Sequence, residues 1–208
     1  MQEDNMTTNG EPFRKVHDEF RQKIYRYLCR MIGETDAEDV CQEVFVKVDK
    51  ALPGFRGESS LATWIYRVAT NAALDHVRSA SSRQAALRTG LSAADEPVPG
   101  EGVMGPGGEV QLPDTLLIRK DMNDCIRGIV DSLPELYRTA LVLSDLEELT
   151  NAEIAAVLGI SLDAAKIRIH RARTRLRKEM DKKCVFYRDS RNELACDRKT
   201  PTLKFRSK

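Results

Sequence analysis

The chain has almost no net charge: 33 lysines and arginines against 32 aspartates and glutamates leave +1 over 208 residues. No global field announces a polyanionic partner, so the distribution of charge has to carry any such reading. No apolar run approaches the roughly 20 residues that cross a bilayer, so no membrane insertion is expected. The start, Met1 to Glu11, is acidic and polar, the wrong chemistry for a secretion signal, and a cytoplasmic location is expected. Five scattered cysteines (Cys29, Cys41, Cys125, Cys184, Cys196) are an odd number and no disulfide framework; they are expected as reduced thiols. The three histidines, His17, His76 and His170, stand far apart. With no phosphate loop and no nucleophile-base pattern, nothing points to an enzyme, and no cofactor or resident metal is expected. Internal repeats are absent. The length allows one large domain or two small ones, and small helical domains bury limited surface, so a partner's surface is expected to add stability.

Helical periodicity is what the chain does have. Residues 1–10 read as disordered. From Pro12, the apolar positions Phe13, Val16, Phe20, Ile24, Tyr27, Leu28 and Met31 predict a long amphipathic helix ending at Gly33. A second helix is predicted from Asp36 to Leu52, its acidic first turn suited to the positive end of the dipole and its end marked by Pro53-Gly54. A third follows Phe55. Leu61, Trp64, Ile65, Val68 and Ala72 recur at three-and-four spacing, Ser60 is placed to cap, and Arg67, Thr70, Asn71, His76 and Arg78 occupy the other face. The plain account of this segment is an amphipathic core helix with a solvated polar side.

Residues 81–115 are different. Their Gly and Pro density cannot repay ordering entropy through burial, which makes them a flexible linker. About 34 residues extend to roughly 110 Å at most and average nearer 30 Å as a coil, so sites about two DNA turns apart, some 70 Å, fall within reach. Helical pattern resumes at Leu116 and continues through Ile118, Met122, Ile126, Ile129 and Val130; Leu136, Ala140, Leu141 and Leu143 extend it towards Leu146.

Leu149 to Lys178 predicts a helix-turn-helix. Thr150 and Glu153 have capping-box spacing, Ile154, Val157 and Leu158 are the buried set, and Gly159 ends the first helix. Ser161 caps a second helix with a thin apolar stripe at Ala165, Ile169, Ala172 and Leu176. Its remaining surface crowds Lys166, Arg168, His170, Arg171, Arg173, Arg175, Arg177 and Lys178. That density of like charge destabilises a lone helix unless a polyanion offsets it. Ile167, opposite the buried stripe, suits contact with thymine methyls. A basic solvated helix or a protein contact is the alternative.

Two strings carry a family resemblance. Asp36-Ala37-Glu38-Asp39-Val40, then Gln42-Glu43-Val44-Phe45, followed by F-R-G-E-S-S-L-A-T-W-I-Y-R-V-A-T-N, resembles the promoter-melting domain of extracytoplasmic-function (ECF) sigma factors of the sigma-70 family. S-L-P-E-L-Y-R, then L-T-N-A-E-I-A-A-V-L-G-I-S-L-D-A-A-K-I-R-I-H-R-A-R, resembles the −35-reading domain of the same family. The resemblance implies an all-α protein of two small helical domains joined by the linker: 11–80 binding core RNA polymerase and opening the −10 element, and 116–180 reading −35.

By that resemblance Asp39, Gln42, Glu43 and Phe45 dock on the β′ coiled coil of core polymerase, with the β flap a further contact. Physically, carboxylates and an amide give oriented contacts and an aromatic gives an anchor; an ordinary solvated helix start is the plainer account. Asn71 is the position that reads a flipped −10 base, since an amide both donates and accepts. Arg67 and Arg78 hold phosphates there. Trp64 and Tyr66 stack on the opened strand, with Trp64 also readable as a packing residue. Periodicity continues the helix through Asn71, whereas the family has a short loop there. Lys166, Ile167, His170 and Arg171 face bases or phosphates at −35, with Arg173 on the backbone. The chain departs from many relatives at Asp163-Ala164-Ala165, where a small-Thr-Val triplet is common; Asp163 repels phosphate or accepts from a cytosine amine. Promoter DNA and an anti-sigma factor are the other implied partners. A stand-alone helix-turn-helix regulator accounts for 149–178 but leaves the first domain idle.

The tail, 181–208, holds two short strand patterns around Asp189-Ser190-Arg191-Asn192. A loop of about five residues sets Cys184 opposite Cys196, a thiol pair suited to a regulatory disulfide or, with help, a metal. A bland tail is the other reading.

Overall fold

The computed structural model describes residues 10–90 (81–90 as backbone alone), 125–188, 192 and 194–199. The expected disordered start, most of the expected linker and the pattern from Leu116 to Met122 lie outside those residues. The described residues fall into two compact units: 10–90 with 135–170, and 125–134 with 171–199.

Three helices build the first part of the first unit: α1 (Gly10–Ile32), α2 (Glu34–Ala51) and α3 (Leu61–Gly90). They pack on one another because each carries an apolar stripe at helical spacing. From α1 come Val16, Phe20, Ile24, Tyr27, Leu28 and Met31, all buried, and from α2 come Ala37, Val40, Cys41, Val44, Phe45 and Val48. Burying each large side chain contributes about 1.5–3 kcal/mol before entropy is counted. Gly33 separates α1 from α2 at φ 88°, a left-handed backbone that glycine adopts without the penalty a Cβ brings. A 3-10 turn at Leu52–Gly54 stops α2 at the proline, as expected.

The third helix differs from its sequence reading in face and length. Its buried side is Thr63, Ile65, Tyr66, Ala69, Thr70, Ala72 and Ala73, while Trp64 is only half-buried. Thr70 does not face solvent: its hydroxyl donates to the Tyr66 carbonyl at 2.7 Å and lies 2.8 Å from the Tyr27 hydroxyl. A hydroxyl can satisfy itself inside its own helix in this way, so a Thr at a polar-looking position buries at little cost. The helix also runs on to Gly90, past the expected boundary at 80. Ser81 to Gly90 contains no proline, and its alanines, leucine and arginines are good helix formers.

The first unit continues with α5 (Glu135–Leu141), which runs into a π-helical turn at Val142–Leu146. The helix α6 (Asn151–Leu158) and the start of α7 (Leu162–Lys183) follow. Ala140, Leu141, Val142 and Leu143 are buried, whereas Leu136, read as part of the same stripe, is exposed.

In the second unit a helical segment α4 at 125–131 meets the end of α7 and an antiparallel hairpin, β1 (Cys184–Arg188) and β2 (Leu194–Arg198). The hairpin was legible, but its register corrects the thiol pairing. Cys184 pairs with Arg198, and Cys196 with Phe186. The register is centred one residue later than a Cys184–Cys196 pairing needs, and Asn192, between the strands, has φ 61°. The Cys125 thiol lies 4.0 Å from that of Cys184, Sγ to Sγ, and the Cys196 thiol also borders Cys184. Cys125, Ile129 and Cys184 form a small buried cluster, with Leu176, Met180 and Cys196 packed on it. All five cysteines are free thiols. Among the described residues no group of three or more His, Cys, Asp or Glu is arranged to hold a metal ion. Burial, reinforced by Cys125, pushes the Cys184 thiol up to about 11. Its thiolate fraction near neutral pH therefore falls about 100-fold below that of an ordinary thiol. Alkylation of the native protein by iodoacetamide at pH 7.5, followed by peptide mass mapping, is expected to label Cys196 well before Cys184.

Candidate nucleic-acid interface

Continuity of α3 decides the geometry of the first site. Ser60 starts the helix as expected, its hydroxyl accepting from the Thr63 amide at 3.1 Å. With no break near Asn71, the residues Trp64, Arg67, Asn71 and Arg78 fall on one side of the helix, since their spacings of three, four and seven return to the same angle. Arg67, Asn71 and Arg78 are exposed, and Trp64 borders them. The helical reading of Asn71 holds, and the short loop implied by the resemblance is not present at that position.

A loop lies ahead of α3, about three helical turns before Asn71. Residues 55–60 curl so that the Phe55 ring meets Trp64 at 5.3 Å between centroids, tilted by 42°. Gly57 permits the curl at φ 72°. Phe55, Arg56, Ser59, Trp64, Arg67 and Ala156 are among the walls of a cleft of about 430 Å³. An aromatic pair beside two guanidinium groups suits a planar base and its phosphate. Asn71 does not line this cleft; it lies one turn beyond Arg67 on the same helix face. Phe55 and Arg56 have no role in the sequence motifs; an aromatic beside a glycine, outside any apolar stripe, is the signal that marks them.

Tyr66 requires a correction. Stacking on an opened strand needs an exposed ring, and Tyr66 is buried edge-on against Tyr27 at 5.4 Å. Its hydroxyl donates to Glu147 at 2.6 Å. Burial first, and then the Glu147 carboxylate, holds the phenol well above its usual value. His76 is half-buried and within 3.1 Å of Asp36, so it too is turned away from the exposed stripe.

On α2, Asp39, Gln42 and Glu43 are exposed along one face. Phe45 is not with them: it is buried, with His17 edge-on at 4.9 Å. Aromatic and carboxylates are one position out of phase in a 3.6-residue period. The apolar side chain that does share their face is Val46, 52% exposed.

The helix-turn-helix forms as its signals require. Thr150 caps α6, its hydroxyl accepting from the Glu153 amide at 3.3 Å while the Glu153 carboxylate accepts from the Thr150 amide at 2.8 Å. Gly159 closes the helix at φ 63°, and Ser161 accepts from the Ala164 amide at 3.2 Å to cap α7. Ala165, Ile169 and Ala172 are buried, leaving Lys166, Ile167, His170, Arg171 and Arg173 exposed on α7. Asp163 lies 3.7 Å from Lys166, one turn along. That pair is exposed and contributes little to stability, yet it lowers the local positive charge where the helix starts.

Family models match where this geometry lies: sigma-70 region 2 over residues 16–83 and sigma-70 region 4 over 123–176. The ECF RNA polymerase sigma factor SigW of Bacillus subtilis (strain 168) is 31% identical over 176 residues, 82% of this chain and 89% of the relative. This chain belongs to the sigma-70 family, in its ECF branch. The sigma factor is also similar to the ECF RNA polymerase sigma-E factor of Escherichia coli (strain K12), 30% identical over 154 residues, 74% of this chain and 78% of the relative. Among solved structures, the fold of this sigma factor resembles that of the sigma factor RpoE of Bartonella quintana, crystallised with the anti-sigma factor NepR. The TM-score is 0.59 at 18% identity, covering 82% of this chain and 98% of that one.

The capping box gives a pH-dependent test of the helix-turn-helix. Accepting from the Thr150 hydroxyl and amide holds the Glu153 carboxyl below its ordinary value of 4.5. A depressed acid stabilises the fold above its unfolded value, and that contribution is lost as pH falls through the folded value. Thr150→Ala is expected to cost about 1 kcal/mol near neutral pH, with the difference from wild type narrowing in acid. Urea unfolding at pH 7 and pH 3.5, followed by far-ultraviolet circular dichroism, measures both.

Proposed function

We infer that this sigma factor binds core RNA polymerase and directs initiation at promoters by reading a −10 and a −35 element. The observation that supports it most is the exposed stripe Trp64, Arg67, Asn71 and Arg78 beside the Phe55–Trp64 cleft, in the segment matched by sigma-70 region 2. A flipped base stacks in the cleft, Asn71 reads a base edge near it, and Arg67 and Arg78 hold the strand's phosphates. Lys166, Ile167, His170 and Arg171 read −35 from the major groove, with Arg173 on the backbone. Asp163 serves as a local brake on phosphate affinity, released when Lys166 turns to DNA. Asp39, Gln42 and Glu43 meet the β′ coiled coil, with Val46 as the apolar contact in place of Phe45; the β flap is the further polymerase contact.

Residues 11–80 form one functional region and 116–180 the other, with the segment between as a tether. Catalysis belongs to the polymerase, and the location is cytoplasmic; no helix among the described residues is long and apolar enough to cross a membrane. The sigma factor RpoE, of similar fold, is crystallised with the anti-sigma factor NepR, and such a partner is expected to cover the polymerase-binding face here.

Two measurements test the assignment. Asn71→Ala is expected to weaken promoter opening, read by permanganate footprinting, while leaving core binding within about twofold; equal opening by both proteins removes Asn71 from the site. Arg171→Ala is expected to flatten the log-log salt dependence of −35 binding by about one unit, because one phosphate contact is lost. A chain that does not join core polymerase in a pull-down, yet still binds −35 DNA, is a stand-alone regulator instead.

A further inference from the structure

Three of the five cysteines meet in the second compact unit, and nothing in promoter reading accounts for them. Cys125 comes from α4, Cys184 starts β1 at the end of α7, and Cys196 lies on β2. Cys184 is in the middle: its sulfur is 4.0 Å from that of Cys125, and the Cys196 thiol borders it as well. That separation is a contact between sulfurs, and a bond between Cys125 and Cys184 needs it to close by about 2 Å. Cys125 and Cys184 are 9% and 2% exposed, whereas Cys196 is half-buried, so a solute meets Cys196 first. Access and contact therefore run in one order, from Cys196 through Cys184 to Cys125.

The far end of that order has a structural consequence. Cys125 and Cys184 are 59 positions apart in sequence, and a cross-link over a chain this long removes much of the freedom of opened states. Without it, α4 is held by a small cluster: Cys125, Ile129 and Cys184, with Leu176, Met180 and Cys196 packed on them. Arg171 and Arg173 lie on the part of α7 that belongs to the same unit.

We propose that Cys196, Cys184 and Cys125 form a peroxide-driven thiol relay whose product, a Cys125–Cys184 disulfide, clasps α4 to the hairpin and stiffens the part of α7 that carries Arg171 and Arg173. The effect on DNA rests on reading those arginines as −35 contacts; the clasp itself does not. In the first step the Cys196 sulfur attacks hydrogen peroxide, the O–O bond breaks, and the leaving hydroxide takes the thiol proton as water, leaving a sulfenic acid. Cys184 then attacks that sulfur. The Cys184–Cys196 bond forms, the S–OH bond breaks, and the hydroxide leaves with the Cys184 proton as a second water. Finally Cys125 attacks Cys184: the Cys125–Cys184 bond forms, and Cys196 departs and takes up the proton that Cys125 loses. Two thiols have then lost two electrons and two protons, and one peroxide has become two waters. An external dithiol reverses the bond by exchange. Burial keeps the Cys184 thiol protonated, which suits it to answer a neighbouring sulfenic acid rather than peroxide itself. Where thiols are otherwise kept reduced, such bonds are transient and redox-sensing.

The test uses the reduced full-length protein, treated with hydrogen peroxide at pH 7.5, blocked with iodoacetamide and mapped by mass spectrometry without reductant. A Cys125–Cys184 linked peptide is expected, reversed by dithiothreitol, with Cys196 recovered alkylated. Cys196→Ser is expected to slow its formation about tenfold, and Cys125→Ala to accumulate a Cys184–Cys196 bond instead; Cys41→Ser should change neither. Oxidation is expected to slow amide hydrogen exchange about tenfold in 125–131 and 176–188, leaving α1 and α2 unchanged. It is also expected to tighten binding of a −35 duplex about threefold, through preorganisation. No linked peptide, or a Cys184–Cys196 bond as the final product of the unaltered chain, overturns the clasp. So does a stoichiometric zinc or copper ion that is lost in Cys184→Ala, which makes the cluster a metal site. A linked peptide with slowed exchange but unchanged affinity upholds the clasp and overturns its effect on DNA. Absence of −35 binding by the reduced protein overturns the −35 reading and leaves the clasp to the linked peptide.

Discussion

The constraint on which the rest of the structure depends is the unbroken period of α3. Neighbouring residues in one helix are assigned to opposite tasks: Ile65, Ala69, Ala72 and Ala73 go into the core, and Trp64, Arg67, Asn71 and Arg78 stay outside. A kink anywhere between Ser60 and Arg78 would rotate one half of the exposed stripe relative to the other. The small residues Ala69, Ala72 and Ala73 also matter, because they let α3 approach α1 and α2 closely enough for Tyr27 and Thr70 to share a hydrogen bond. Rigidity of the exposed face is thus a product of the packing behind it.

Charge in this protein is segregated rather than scarce. The near-zero total is the sum of an acidic face on α2 and basic faces on α3 and α7. Each field is partly quenched in the free chain by a local partner of opposite sign: Arg21 with Glu38, Arg78 with Glu135, Lys166 with Asp163. Exposed pairs of this kind add little to stability, but each is an interaction that a macromolecular partner can replace at small net cost. Glu147 differs in kind. Its burial makes its pairing expensive to break, because losing a partner leaves the carboxylate buried and uncompensated.

The second unit obeys a different economy. A helical segment, the end of α7 and a two-stranded hairpin have little apolar surface, and sulfur fills the gap: Cys125, Cys184, Met180 and Cys196 pack with Ile129 and Leu176. Thiols behave there as small hydrophobes, and desolvation keeps them protonated.

Much was determined by the sequence alone, where the deciding interaction is short in range. The α1 and α2 stripes, the Pro53-Gly54 stop, the Ser60 and Ser161 caps, the Thr150–Glu153 box and the Gly159 turn all rest on residues within one or two helical turns, and each formed as read. The tertiary structure decided what depends on a neighbour distant in the chain. Tyr66 looked like a strand-stacking aromatic until Glu147 and Tyr27 buried it. Phe45 looked like a docking anchor until His17 and the α1 stripe enclosed it. Cys184 looked directly opposite Cys196 until the hairpin register set it across from Arg198, with Cys125 joining both in one packed cluster. A helical period states which residues share a face; only packing states which face is covered, and by what.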